Sequence, residues 1–315
     1  MMRGKGGPGK SYREGISLVE LFEMFPDDVA AERWFEGQRW PDGARTCPEC
    51  GSLRHSVTAS RKPMPYRCLD CHQYFSVKKG TVMESSKVGY QKWAVATYMM
   101  MTNLKGVSSM AVHRAIGVSQ KTAWFMLHRI RAALDSDQPV FAGPVEVDET
   151  FVGGREKNKH SAKRLRAGRG TVGKSVVAGA KDRETGQVSA QVVADTSKAS
   201  LRPFVVERAE PGAEVFTDEH SAYTGMPGVR HRAVKHSVGE WVDGQAHVNG
   251  LESFWAMLKR GYHGTYHRMS AKHLGRYVAE FSGRHNLRPL DTIDQMGLLA
   301  AGMVGKRLSY RELTS

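Results

Sequence analysis

The chain has 315 residues, of which 46 are Lys or Arg and 32 are Asp or Glu, giving a formal charge of +14. That length predicts about two domains, and a basic excess of this size points to a polyanionic partner. No apolar run reaches the roughly 18 residues of a membrane span, and Met1–Lys10 is rich in Gly and Lys without an apolar stretch, so it reads as a loose arm rather than a secretion signal. There are four cysteines in two close pairs. Without a secretion signal, such pairs predict a metal site in a reducing compartment rather than a disulfide framework.

Residues 1–40 read as a helical segment. Ser17 with Glu20 three residues on predicts a capping box at the start of a short amphipathic helix. Pro26-Asp27-Asp28 opens a second helix, with Ala30, Ala31, Trp34 and Phe35 on one face and Trp34 and Trp40 expected in the core.

Residues 41–80 carry Cys47-Pro-Glu-Cys50 and Cys68-Leu-Asp-Cys71, separated by seventeen residues. A two-residue gap lets both thiolates of a knuckle reach one tetrahedral ion, so Cys47, Cys50, Cys68 and Cys71 predict a structural Zn2+ site in a zinc ribbon. Gly51 suits the left-handed turn of the first knuckle. Short strands are expected at 56–59, 66–68 and 73–77. His55 and His72 lie nearby, but four cysteines already complete the ligand set.

Residues 81–138 turn helical. Helices are predicted at 91–103, 108–116 and 120–134, the last capped by Ser119 after the tight turn Gly117-Val118-Ser119. Helix, short Gly-bearing turn, helix is the pattern of a helix-turn-helix. Its second helix would offer Gln120, Lys121 and Thr122 to the major groove, with His128, Arg129 and Arg131 at the far end in reach of phosphate.

A boundary is expected at Gln138-Pro139. Over 139–290 the pattern becomes α/β. Asp148 lies inside the apolar strand 144–152, and a carboxylate there costs several kcal/mol unless it is paired or metal-bound. Its neighbour Glu149 points to the other face. The insert 153–174 has eight Lys or Arg against one acid; it reads as a solvated loop that orders on DNA. A hairpin follows at 175–193, then a helix at 201–207. A strand at 213–218 ends on Asp218, the end of a strand where α/β sheets carry chemistry. In the predicted helix 247–260, Asn249 and Glu252 share a face, with Lys259 two turns beyond Glu252. A helix at 271–287 has core spacing in Leu274, Tyr277, Val278 and Phe281. Residues 291–315 are expected to be a peripheral tail.

The segments Val-Asp148-Glu-Thr, Thr-Asp218-Glu-His-Ser-Ala-Tyr and His-x-Asn249-x-x-Glu252-Ser-Phe-Trp-x-x-Leu-Lys259-Arg resemble the zinc-ribbon DDE transposases of bacterial insertion sequences, the ISXO-like group. The resemblance runs from about Leu18 to Asn286 in the same order of parts. It implies an RNase H-like catalytic domain behind the zinc ribbon and helix-turn-helix, with Asp148, Asp218 and Glu252 as carboxylates for catalytic Mg2+ or Mn2+. Asn249 is the alternative third ligand, because members of the group differ there. Lys259 resembles the basic residue that follows the third ligand and would hold a DNA phosphate. The implied partners are double-stranded DNA, as element terminal repeats and target, and further copies of the chain on that DNA. No nucleotide cofactor is implied, and the setting is a bacterial cytoplasm at the nucleoid. Two other readings share these parts. One is a zinc-ribbon and helix-turn-helix regulator with an inactive RNase H-like domain; the other is a nuclease without strand transfer.

Overall fold

The computed structural model describes residues 14–135, 139–165, 170–233 and 249–315. The N-terminal arm, Gln138, residues 166–169 of the basic insert, His247 and the Asn249 side chain lie outside the described residues. The chain divides into two compact units: one holds residues up to Leu104, Ser109–Leu134 and Leu287–Ser315, and the other holds Lys105–Ser108 and Asp135–Asn286.

In the first unit, α1 (Leu18–Met24) starts at Ser17, whose hydroxyl accepts from Glu20 N while Glu20 returns the bond to Ser17 N. Helix α2 (Asp28–Arg39) is capped by Asp27 and buries Ala31 and Phe35. Strands β1 (His55–Val57), β2 (Tyr66–Cys68) and β3 (Tyr74–Phe75) form an antiparallel sheet in that order. Helix α2 is fastened to it by buried Glu36, which accepts from the Tyr66 hydroxyl at 2.7 Å and from Arg45 at 3.2 Å. Helices α3 (Tyr90–Thr102), α4 (Ser109–Ile116) and α5 (Gln120–Leu134) follow. The turn before α5 holds Gly117 at φ 61°, a left-handed backbone that glycine adopts without strain.

The second unit is built on a five-stranded sheet of β4 (Val145–Val152), β5 (Ser175–Asp182), β6 (Val188–Val193), β7 (Glu214–Thr217) and β8 (Arg230–Ala233), in the order β6-β5-β4-β7-β8. The β4–β5 and β5–β6 pairs are antiparallel; β4–β7 and β7–β8 are parallel. Successive side chains of β4 face opposite layers. Val145 and Val147 pack with Leu201, Phe204 and Val205 of α6 (Lys198–Val206) and with Tyr223. Val152 packs with Leu251, Phe254, Trp255 and Leu258 of α7 (Asn249–Gly261) and with α8 (Ala271–Leu287). Helix α7 runs on into a π-helical turn, Tyr262–Tyr266. The described part of the basic insert is more structured than a solvated loop: it forms two 3-10 turns, and Glu156 is tied to Lys159 and to Leu165 N.

The chain then returns to the first unit as α9 (Thr292–Ala301) and α10 (Tyr310–Thr314). This corrects the expectation of a peripheral tail over 291–315. Met296, Leu299, Ala300, Met303, Leu308 and Leu313 are buried, because an apolar residue every three to four positions gives this segment a face that must be covered. Val82 N donates to Met303 O at 3.1 Å, and Gly305 N to Gly80 O at 2.9 Å, adding a bridge beside the ribbon. The three N-terminal segments read from the sequence are therefore one unit, completed by the C-terminal residues.

Candidate active site and cysteine cluster

The Cys47, Cys50, Cys68 and Cys71 sulfurs all lie within 4.8 Å of one another, with Cys47–Cys71 and Cys50–Cys68 each at 3.6 Å. Four thiolates about 2.3 Å from one tetrahedral ion stand about 3.8 Å apart, so this donor set fits zinc. The backbone N–H groups of Cys71 and Asp70 hold the Cys68 thiol below its ordinary range, while its crowded neighbours push Cys50 and Cys71 above theirs. Gly51 has φ 74°, the left-handed turn expected after the first knuckle. Among the described residues, no other group of three or more Cys, His, Asp or Glu brings its ligand atoms this close.

In the second unit, β4 and β7 run parallel with Val145 opposite Val215 and Glu146 opposite Phe216. Continuing that register puts Asp148 level with Asp218, the residue that follows the last of β7. Asp148 is half-buried, and its pKa is pushed up to about 6, chiefly by burial, with Glu149 and Asp218 adding like charge. Neither aspartate is ion-paired to a cation among the described residues. Asp218 Oδ1 accepts from His220 N at 3.0 Å, which shapes the turn beyond the strand. Glu149 faces the opposite layer, as its strand parity predicts, and accepts from the Tyr223 hydroxyl at 2.6 Å.

Glu252 lies in the first turn of α7 and is exposed. The structure brings Asp148 and Asp218 to neighbouring strands or their ends, but Glu252 does not close with them into a cluster of ligand atoms among the described residues. What fixes α7 against β4 is a pair of contacts absent from the sequence reading. The Trp255 Nε1–H donates to Asp148 Oδ2 at 2.9 Å, one helical turn past Glu252. Buried Glu146 accepts from Gly250 N at 3.0 Å and Leu251 N at 3.3 Å, and pairs with Arg183 at 2.9 Å. A carboxylate on the free N–H groups of a helix start satisfies donors that otherwise have no partner, and it offsets the helix dipole. The sequence signal for Glu146 is its inward position on an apolar strand, the same argument that singled out Asp148. Lys259 stands exposed in the last turn of α7.

In the first unit, Gln120, Lys121 and Thr122 form the first turn of α5. Gln120 donates to Ser109 Oγ at 2.8 Å, the Lys121 ammonium lies 4.5 Å from the Tyr310 ring centre, and Thr122 N donates to Ser119 Oγ at 3.1 Å. Gln120 and Lys121 are exposed. The expectation that His128, Arg129 and Arg131 reach phosphate is corrected: all three are buried, at 0%, 8% and 1% exposure. Helix α5 packs against α3, α4 and α9, and this part of it is turned into the core. Arg129 donates to Leu308 O and Glu84 O, both at 3.1 Å, and lies 4.2 Å from the Phe125 ring centre.

Among the described residues, no helix is long and apolar enough to cross a membrane. Residues 140–286 match the ISXO2-like transposase domain, and residues 26–74 match the transposase zinc-ribbon domain. A protein of Halobacterium salinarum described as an uncharacterized protein in transposable element ISH50 is 31% identical over 263 residues, covering 79% of this chain and 87% of that one. Both domain matches fall where the cysteine cluster and the aspartate-bearing strands lie, and the relative spans most of both chains: the chain belongs to the ISXO2-like transposase family.

Proposed function

We propose that this transposase binds the terminal repeats of an insertion sequence as duplex DNA, cuts at the element end and joins that end to target DNA, acting at the nucleoid in the cytoplasm. The observation that carries the reading is the parallel pairing of β4 with β7, which supports Asp148 and Asp218 as near neighbours that feel each other's charge, with Trp255 of the Glu252-bearing helix bonded to Asp148. The sheet order, with the first three strands antiparallel and the next two added parallel to β4, supports an RNase H-like domain. Helix α4, the Gly117 turn and the exposed start of α5 support a helix-turn-helix that offers Gln120, Lys121 and Thr122 to DNA.

Two level carboxylates without a cation of their own fit Mg2+ or Mn2+, since uncompensated acids in a half-buried site repel each other until a cation joins them. Asp148 and Asp218 would hold two such ions, with Glu252 as third ligand and Asn249 as its alternative. The bound metal supplies charge stabilisation at the reacting phosphate. Trp255 and Glu146 keep β4 and α7 in place around it, and Lys259 holds a neighbouring DNA phosphate. Water displaces the strand at the element end and leaves a 3′-hydroxyl. That hydroxyl then displaces a 3′-oxygen in target DNA, so one P–O bond forms for each one broken and no nucleotide cofactor is consumed. Two ends must be held together, which calls for at least a dimer on DNA.

An uncut element end and a precut end, each incubated with target DNA and Mg2+ or Mn2+, test this reading. Cut ends and joined products, both lost in Asp148→Ala while end binding persists, are expected. Cutting by the pure Asp148→Ala protein overturns the site. Cut ends without joining point to a nuclease, and neither product points to a DNA-binding regulator.

A further inference from the structure

A second feature of the catalytic unit meets the reading above only at Lys259. Strand β7 pairs with β4 only at Val145 and Glu146. The same edge of β4 from Glu149 to Val152 therefore has no strand neighbour among the described residues, although β5 covers the other edge throughout. A cleft of about 580 Å3 lies along this stretch. It begins at Glu149, the residue after Asp148, and ends at the root of the basic insert. Arg155 and Lys174 of the insert line it together with Lys259, Tyr262 and His263 from the last turn of α7 and the π-helical turn.

The charge of this cleft is unbalanced. Arg155, Lys174 and Lys259 converge on it, and none is ion-paired among the described residues. The one carboxylate in its lining is Glu149, which already accepts from Tyr223 at 2.6 Å. Three cations brought together without acids repel one another, and an anion in the space between them removes that cost. The backbone is shaped for the arrangement. A Cβ on Gly153 would lie 3.1 Å from the Lys174 Cα, so the two ends of the insert approach closely here. The π-helical turn, a rare form frequent at functional sites, brings Tyr262 and His263 to the cleft, and the Tyr262 hydroxyl lies next to Gly154.

We propose that this cleft is a subsite for the phosphodiester backbone of a single DNA strand, gripping the phosphates beside the reacting one through Arg155 and Lys174 together with Lys259. It rests on the reading of Asp148 and Asp218 as the reacting centre, because the cleft starts one residue past Asp148. A strand lying in it leads from the carboxylates toward Arg155 and Lys174 at the root of the insert.

The test uses the full zinc-loaded chain and a short fluorescein-labelled oligothymidylate, a single strand that avoids the duplex-binding front unit. Affinity is measured by anisotropy over a salt series for the wild type and for Arg155→Gln with Lys174→Gln, a double variant that keeps side-chain length. Each lost phosphate contact on a single strand lowers the salt slope by about 0.7. The variant is expected to bind at least about fivefold more weakly near 0.1 M salt, with a slope smaller by about 1.4. An unchanged slope and affinity in a variant with wild-type zinc content and melting temperature overturns the proposal. Inorganic phosphate is titrated at constant ionic strength in a parallel arm; displacement of the oligonucleotide below millimolar phosphate assigns the cleft to a free phosphate and also overturns the strand reading. Asp148→Ala, measured in both the binding and cutting assays, separates the two levels. A reduced slope in the double variant alongside retained cutting by Asp148→Ala leaves the cleft standing and the site wrong. An unchanged slope alongside lost cutting does the reverse.

Discussion

The Trp255 Nε1–H donates to Asp148 Oδ2 at 2.9 Å, so one hydrogen bond joins helix α7 to the strand carboxylate it faces. A hydrogen bond to a charged acceptor fixes one oxygen and leaves the other to a metal, and such bonds contribute about 1.5–3 kcal/mol. Trp255→Phe keeps a buried ring and removes only the donor. It is expected to raise the Mg2+ concentration needed for half-maximal cutting about tenfold or more, with a small change in melting temperature. A metal requirement equal to the wild type in a folded variant would show that this bond does not orient Asp148.

Opposite Asp148 on β5 sits Gly179, and a Cβ there would come within 2.7 Å of the Trp255 ring. Glycine at this position makes room for the indole. Gly179→Ala is expected to destabilise the chain by about 1–3 kcal/mol through overpacking. Combining it with Trp255→Phe relieves the clash, so the two changes should be non-additive in a thermal-melt cycle. Additive losses would mean that the glycine serves something else.

Met303 is fully buried in the segment that returns to the first unit. Met303→Ala is expected to cost about 2–5 kcal/mol, and a chain ending at Leu290 should fail to fold its front unit, as seen in lost zinc retention. A truncated chain that melts and holds zinc like the full one would restore the view of this segment as a tail.

Lys121 and Arg129 are both cations of α5, but only Lys121 is exposed. Lys121→Ala is expected to weaken duplex binding and lower the salt slope by about 0.9. Arg129→Ala should leave the slope unchanged and cost about 1–3 kcal/mol of stability, because it strips donors from two carbonyls. The opposite pattern would place Arg129, not Lys121, on the DNA.

Much of this fold is legible in the sequence where local patterns decide it. The C-x2-C spacing, the Ser17 capping box and the opposite facing of Asp148 and Glu149 on β4 each specify local geometry, and the structure shows all three. Strand β8 was not legible: Arg230-His-Arg-Ala has no apolar alternation, because it is largely exposed and, among the described residues, pairs only with β7. The same limit explains the arginines of α5. Helical periodicity gives a face, but which face is covered depends on the C-terminal helices that pack on it from far along the chain. Around the carboxylates, the aspartates announce themselves as acids in strands. Trp255 looks like an ordinary core residue, and Glu146 like a second acid in the same strand, until the β4–α7 contact gives them partners.

The central claim is that Asp148, Asp218 and Glu252 hold the divalent cations that drive DNA cutting. Anomalous scattering from crystals of the zinc-loaded chain soaked in Mn2+ tests it most directly. Manganese bound between the Asp148 and Asp218 carboxylates, with Glu252 or Asn249 turned in to complete the ligands, is the predicted result. Manganese bound elsewhere, or none at those aspartates while the zinc site is filled, would contradict it.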